Sequence, residues 1–366
     1  MGGGRVLINA LSWTSGGGNT YALNLIRELR RDSRGFRFTL LIPHGRLASD
    51  EADGLEIAPV RFPERGQRLW RVLYEEARLP ARARRFDLFY CLADLAPIWG
   101  TTPTVVAVRN LHIYDRSAYD TLRLRLLGSL VHKGLRRARR VVFPSRAAAE
   151  LISPRARIPA DRVAIVPHGV SPELFDPHTA PAAQGAPYVF MAASIERHKN
   201  MGVVVESLLH LGDRKLELWI AGADTLDPGY AAELRRLAER LGLGPRVRLL
   251  GPIPYREILS YYRGAVALVF PSLLETFGHP LLEAMLAGTP VVASDLPAFR
   301  EIAGDIPIYF DPRDPVGIAK AIERIRGHEQ ETRLRVERGR ALVERFSWRN
   351  SVDRLCGVFE DALRVG

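Results

Sequence analysis

Short apolar runs alternate with stretches of helical period along this chain, and the alternation happens twice. VLIN (6–9) reads as a buried strand, SGGGN (15–19) as a glycine-rich turn, and Tyr21 to Arg31 as a helix with Leu25, Ile26 and Leu29 on one face. FTLLI (38–42), DLFYCL (87–92), TVVAV (104–108), RVVFP (140–144) and VAIVP (163–167) follow as strands, and periodic segments near 66–79, 118–138 and 145–152 separate several of them. Apolar runs with no polar alternation suit strands covered on both faces, so the pattern predicts a parallel sheet with helices on either side. SPELFDPHTAPAAQGAP (171–187) is rich in Pro, Ala and Gly and has no period, which is the composition of a linker.

The rhythm restarts after the linker. YVFMAA (188–193), LELWIAG (216–222), VRLLG (247–251), AVALVF (265–270) and PVVAS (290–294) read as strands. Helical segments lie near 200–210, 229–241, 255–263, 278–287 and 314–326, and a long helical tail covers 329–364 with a break near Phe346-Ser347-Trp348. The expected fold class is therefore α/β, with two doubly wound Rossmann-like domains. The expected division is 1–170, a linker over 171–187, a second domain over 188–345 and a terminal helix over 346–366. No short-period repeat occurs. Two such domains place a ligand crevice at the carboxyl ends of their strands, but the fold alone names no reaction.

Composition narrows the class. With 366 residues, 47% apolar and 25% charged, the chain has the balance of a folded globular protein of about two domains. Cys91 and Cys356 are 265 positions apart and form neither a disulfide framework nor a metal-ligand spacing. The opening MGGGRVLINA lacks the apolar stretch of a signal peptide, and no run of about 18 apolar residues occurs. The expected location is cytoplasmic. The net charge of +11 sits wholly in residues 1–180, which hold 28 basic and 17 acidic residues. An anionic partner for the first half is implied. RLRLLGSLVHKGLRRARR (123–140) mixes leucines with Arg136, Arg137, Arg139 and Arg140, as an interfacial helix does, and as a sheet-covering helix with a basic end also does. Only four lysines occur against 48 arginines, so Lys199 inside a motif stands out.

The chemistry gathers in PSLLETFGHPLLEAMLAGTPVVASDLPAFREI (271–302). A loop after a strand carries Glu275, Gly278 opens a helix, and Glu283 follows Glu275 by eight positions. A helix start carries partial positive charge and seats a phosphate, and Gly278 lets that backbone approach closely. Carboxylates beside a diphosphate would repel it. Glu275 and Glu283 therefore read either as acceptors from vicinal sugar hydroxyls or as helix-start carboxylates that complement the dipole. SIERHKN (194–200) puts Arg197 and Lys199 at the carboxyl edge of the first strand of the second domain, where cations would neutralise the same phosphates or serve as surface charge. Gly16, Gly17 and Gly18 lack the G-x-G-x-x-G order of a dinucleotide fingerprint.

ETFGHPLLE is an E-x7-E motif. With AMLAGTPVVASDLPAFREI after it, the segment resembles the donor-binding region of glycosyltransferase family 4. SIERHKN is similar to that family's S-x-E-P-R-K-N loop, SGGGNTYALNL to its N-terminal glycine loop, and VAIVPHGVSPELFDP (163–177) to its domain junction. The resemblance is strong in the second half and weak across 45–100. It implies a GT-B fold, with two domains facing across a cleft and a final helix crossing back to the first. It also implies retaining, metal-independent transfer from a nucleotide sugar, and the style of the loop points to GDP-mannose. By the same resemblance Lys199 and Arg197 hold the diphosphate, with His198 at the usual arginine position. Glu283 binds the ribose, and Glu275 addresses the donor sugar with the backbone at Phe277 and Gly278. His279 and Gly16 to Gly18 complete the donor set, and the base lies near Gly251-Pro252-Ile253. Where the family often has a histidine–aspartate pair, VAVRNLHIYD has Arg109 and Asn110, with His112 three positions on. Either Arg109 and Asn110 meet the sugar or phosphate, or His112 does.

No Asp-x-Asp motif or His/Cys cluster calls for a metal or other cofactor. The expected partners are a nucleotide sugar, a glycan or lipid-linked acceptor and an anionic membrane surface. A nucleotide-sugar epimerase of the same architecture is the alternative. A nucleic-acid-binding protein is a weaker one, because no aromatic-basic module or recognised nucleic-acid motif occurs.

Overall fold

The computed structural model describes residues 3–12, 17–31, 34–45, 55–63, 65–109, 111, 113–114, 121–171, 178–182, 185–224, 227 and 229–364, without the side chains of 17–20, 68 and 123. The chain divides into two compact units. One is Met1–Gly169 with Trp348–Gly366, and the other is Val170–Ser347.

Among the described residues the first unit holds a seven-stranded sheet. Its strands are β1 (Arg5–Asn9), β2 (Arg37–Pro43), β3 (Glu56–Val60), β4 (Leu88–Cys91), β5 (Thr104–Ala107), β6 (Arg140–Phe143) and β7 (Val163–Ile165). They lie in the order β3-β2-β1-β4-β5-β6-β7, and every pairing is parallel. The helices are α1 (Gly17–Leu29), α2 (Gln67–Ala77), α3 (Leu79–Ala83), α4 (Leu122–Arg137), α5 (Arg146–Ala156) and the terminal helix, here α13 (Trp348–Arg364). One core cluster joins Val6 and Ile8 of β1, Leu40 of β2 and Tyr90 of β4 to Leu25 of α1 and Leu355 and Phe359 of α13.

The second unit holds six parallel strands: β8 (Tyr188–Ala192), β9 (Glu217–Ala221), β10 (Val247–Gly251), β11 (Ala267–Phe270), β12 (Val291–Ser294) and β13 (Ile308–Phe310). Their order is β10-β9-β8-β11-β12-β13. Its helices are α6 (Met201–Ser207), α7 (Tyr230–Arg240), α8 (Ile258–Gly264), α9 (His279–Ala287), α10 (Pro297–Ala303), α11 (Pro315–Gly327) and α12 (Glu329–Val343). The two-residue period of β8 splits its side chains between two cores. Val189 and Met191 pack with α6 and α11 on one face, and Tyr188 and Phe190 pack with α9 and α10 on the other. Each sheet reverses its strand order once, between β1 and β4 and between β8 and β11.

Five elements depart from the expected pattern. α1 starts at Gly17, so the glycine run lies partly inside the helix rather than ahead of it. α3, β3, β13 and α10 had no counterpart in the sequence pattern. β3 carries Pro59, which removes a ladder donor and fits only an edge position, where the strand sits. β13 has three residues, too few to show a period, and α10 is a seven-residue helix opened by Pro297.

α13 covers the first sheet. Ser351 donates to the Pro167 carbonyl at 2.6 Å, Arg139 donates to the Ala362 carbonyl at 3.0 Å, and Arg140 pairs with Asp361 at 2.6 Å. Two arginines from the basic stretch that ends α4 are therefore spent on holding α13. Phe359 is fully buried and meets Tyr90 edge to face. Phe359→Ala is expected to destabilise the first unit by about 3–5 kcal/mol, the cost of deleting a core aromatic. Chemical denaturation measures it, and a loss under about 1 kcal/mol would show that α13 does not support this core.

Candidate functional site

The reversal between β8 and β11 is where open α/β sheets bind ligands, and the residues singled out in the second half stand on the loops that leave these two strands. The chain leaving β8 stays tied to the exit of β9, through Ala193 N–H to the Ala221 carbonyl and Ile195 N–H to the Ala223 carbonyl, each at 3.0 Å. Gly222 is required here, because a Cβ would lie 1.8 Å from the Ala193 oxygen. Residues Arg197–Lys199 then form one 3-10 turn, ended by Asn200 in the left-handed region at φ 55°.

Asn200 explains why that turn is fixed. Its amide donates to the Pro271 carbonyl at 3.3 Å and the Pro312 carbonyl at 2.6 Å. Leu273 N–H donates to the His198 carbonyl at 2.8 Å. The turn after β8 is thereby fastened to the loop after β11. This fastening brings the Lys199 ammonium into a short contact with Glu275 Oε1, which also accepts from the buried Ser272 hydroxyl at 3.0 Å. The Lys199 and Glu275 side chains are 15% and 13% exposed, so this is a mostly buried ion pair. Removing one partner of such a pair leaves an uncompensated charge, so each holds the other in place.

Gly278 follows at φ 105°, a conformation side chains rarely adopt, and a Cβ there would come within 2.7 Å of the Phe299 ring. α9 begins at His279 with Pro280 next, and Phe277 is buried ahead of it. Glu283, one turn into α9, is 6% exposed. Tyr262 donates to its Oε2 at 2.8 Å, and His279 Nδ1 stands 3.4 Å from its Oε1. Burial pushes this carboxyl up, but bonds from His279, Tyr262 and Tyr255 outweigh it and hold Glu283 below the ordinary carboxylate range.

The structure thus brings Lys199, Glu275 and Ser272 into one group and Glu283, His279 and Tyr262 into another. Arg197 belongs to a third, since it pairs with Glu233 at 2.7 Å and Asp227 at 3.3 Å and lies over the Tyr230 ring. Ile253, beyond β10, packs half-buried against the core. Sequence reasoning missed Ser272, Asn200 and Tyr262. Asn200 stood in the quoted motif, and a rare left-handed asparagine leaves no local mark. Tyr262 meets Glu283 only through the packing of α8 on α9.

In the first unit, Arg109 N–H donates to the buried Asp94 at 2.8 Å, and the Arg109 guanidinium lies 3.9 Å from the Tyr21 ring centroid. Burial draws this arginine below its ordinary range, against the pull of Tyr21 and Asp94. Gly17 and Gly18 open α1. Gly16, Asn110 and His112 lie outside the described residues. Among the described residues no group of three or more His, Cys, Asp or Glu side chains could hold a metal ion, and no helix is long and apolar enough to cross a membrane.

Two outcomes follow from this geometry. Gly278→Ala is expected to cost about 1–3 kcal/mol from backbone strain, read as a lowered unfolding midpoint of the second unit. An unchanged midpoint would contradict the conformation at this position. The lowered carboxyl of Glu283 contributes stability that is complete above the ordinary carboxylate range and is lost as pH falls through the lowered value. Glu283→Gln should therefore flatten the acid limb of the stability–pH curve, and superimposable limbs would show that the carboxylate is not held as described.

The family described as Glycosyl transferases group 1 matches residues 175–340, and that described as Glycosyltransferase Family 4 matches residues 15–174. D-inositol 3-phosphate glycosyltransferase 1 of Catenulispora acidiphila is 32% identical over 224 residues, which is 56% of this chain and 53% of that protein. The O-antigen chain mannosyltransferase RfbU of Salmonella typhimurium is 25% identical over 54% of this chain and 53% of its own. The chain spans about half the length of these curated relatives. Among solved structures, sucrose-phosphate synthase from Thermosynechococcus elongatus superimposes with a TM-score of 0.79 at 19% identity, over 99% of this chain and 100% of that one. The Anabaena protein HepE in complex with UDP-glucose does so at 0.77 and 17%, over 98% and 100%. The two Rossmann-like sheets are those of the GT-B fold expected from the resemblance. With both family regions matched in succession from residue 15 to residue 340, the chain belongs to glycosyltransferase family 4.

Proposed function

We propose that this chain is a retaining glycosyltransferase that moves a hexose from a nucleotide-diphosphate sugar to a hydroxyl of a glycan or lipid-linked glycan in cell-surface polysaccharide synthesis. The observation that carries the reading is the fastening of the β8 and β11 loops, which fixes the Lys199 cation at the strand-order reversal that also carries Gly278 and the start of α9. The diphosphate sits between Lys199 and the backbone at Phe277 and Gly278. Lys199 and the helix start stabilise the charge that develops as the C1–oxygen bond to the diphosphate breaks. The acceptor oxygen bonds to C1 on the same face, and its proton passes to an oxygen of the leaving diphosphate. No protein nucleophile and no metal enters this scheme.

Glu275 serves here first as the partner that orients Lys199, and through its remaining oxygen it accepts from a sugar hydroxyl. Glu283 anchors the start of α9 by holding His279, with the ribose as the group it faces in the family resemblance. Arg197, paired with Asp227 and Glu233, reaches phosphate only by leaving those partners.

The relatives favour different donors and acceptors by name: a mannosyltransferase, an enzyme named for D-inositol 3-phosphate, and a structure holding UDP-glucose. GDP-mannose remains the donor we propose. A thermal-shift series with GDP-mannose and UDP-, ADP- and dTDP-sugars distinguishes them. A ligand at 100 times its dissociation constant adds about 2.7 kcal/mol, and no shift with any of them would sink the reading. Lys199→Ala should lower turnover by roughly 10²–10³ at saturating donor, the scale of one lost transition-state contact. Near-normal turnover in that variant, assayed with glycan and D-inositol 3-phosphate acceptors alike, would remove Lys199 from the chemistry.

A further inference from the structure

α2 is built inside out. A helix that covers a sheet ordinarily buries its leucines and exposes its carboxylates. In α2 the carboxylate of Glu75 is the buried group, 2% exposed, and it accepts from Asn9 at 2.9 Å with Arg71 3.6 Å away. Glu76 also turns toward the protein, where it accepts from Ile98 N–H at 3.1 Å. The apolar side chains face out: Leu69 is 62% exposed, Trp70 49% and Leu73 47%. Their spacing puts them on one stripe. Trp99, 42% exposed, joins them, because its indole N–H is held by the Glu76 carbonyl at the end of the same helix.

The exposed charge along this stretch of chain has one sign. Among the described residues from 65 to 85 every exposed charged side chain is an arginine: Arg65, Arg78, Arg82, Arg84 and Arg85. Two exposed leucines and two exposed tryptophans are thus accompanied, along α2 and the chain on either side of it, by exposed charges of positive sign. Such a patch on a folded surface marks a contact site. A second copy of the chain is a poor occupant, since two like faces would bring their arginines together. A surface with an apolar interior and phosphates at its edge is complementary in both respects.

We propose that α2 and Trp99 are the face by which the protein docks on an anionic lipid surface. Leu69, Trp70, Leu73 and Trp99 enter the boundary between headgroups and acyl chains, and the arginines meet the lipid phosphates. The inference stands on the surface alone and does not depend on the transfer reaction.

Vesicle flotation of the full chain tests it, with phosphatidylcholine alone and with about 30% phosphatidylglycerol added. The protein should float with the anionic vesicles and not with the neutral ones. The triple variant Leu69→Ser, Trp70→Ser, Leu73→Ser should lose about tenfold or more of the bound fraction at an unchanged thermal midpoint, because only exposed side chains are altered. Brominated acyl chains should quench tryptophan emission in the wild type and much less in the variant. Equal flotation of variant and wild type would overturn the proposal, as would equal binding to neutral vesicles. So would lipid-free self-association, or binding to an acidic protein in place of vesicles, that the same three substitutions abolish.

Discussion

The site depends on one constraint, the fastening of the turn after β8 to the loop after β11. Asn200 reaches two carbonyls across the reversal of strand order, and Leu273 returns a hydrogen bond to His198. Without these bonds Lys199 would be a mobile surface cation. With them it is mostly buried and held against Glu275. A fixed cation need not reorganise when charge develops on a leaving group, and this is the physical basis of electrostatic catalysis. The left-handed asparagine at 200 and the glycines at 222 and 278 are the backbone conditions that make the approach possible.

Much of this was legible in the chain before any coordinates. Fully apolar strands such as YVFMAA can only be covered on both faces, and the E-x7-E spacing places a carboxylate on the loop and another on the helix. What the sequence did not disclose was how those groups pair. Local order cannot show that Glu275 closes on Lys199, 76 positions away, or that Tyr262 donates to Glu283 across α8 and α9. Arg197 and Lys199 are two residues apart and read as a pair of phosphate cations. Yet the 3-10 turn between them sends Arg197 to the acidic side chains of Asp227 and Glu233. The edge strand β3 escaped because Pro59 breaks the strand pattern, and α10 because its seven residues complete barely two turns.

The uneven charge of the chain now has a structural reading. The first unit engages Arg139 and Arg140 with α13 and leaves Arg65, Arg78, Arg82, Arg84 and Arg85 exposed before and after α2 in the chain, so the excess is divided between internal fastening and surface. The second unit carries 21 basic and 23 acidic residues, a slight acidic excess, and several of its charges stand in pairs: Lys199 with Glu275, His279 with Glu283, Arg197 with two acids. The buried side chains of Ser272, Glu283, Thr289 and Ser294 all make hydrogen bonds, as the cost of stranding them requires. The buried carboxylate of Glu283 carries bonds from its own helix and from α8, which ties the start of α9 to the core beneath it.

A crystal structure of the protein with a bound nucleoside diphosphate tests the central claim most directly. The account predicts diphosphate oxygens within hydrogen-bonding reach of the Lys199 ammonium and of the backbone where α9 begins. A diphosphate bound elsewhere on the molecule, with Lys199 still closed on Glu275, would contradict it.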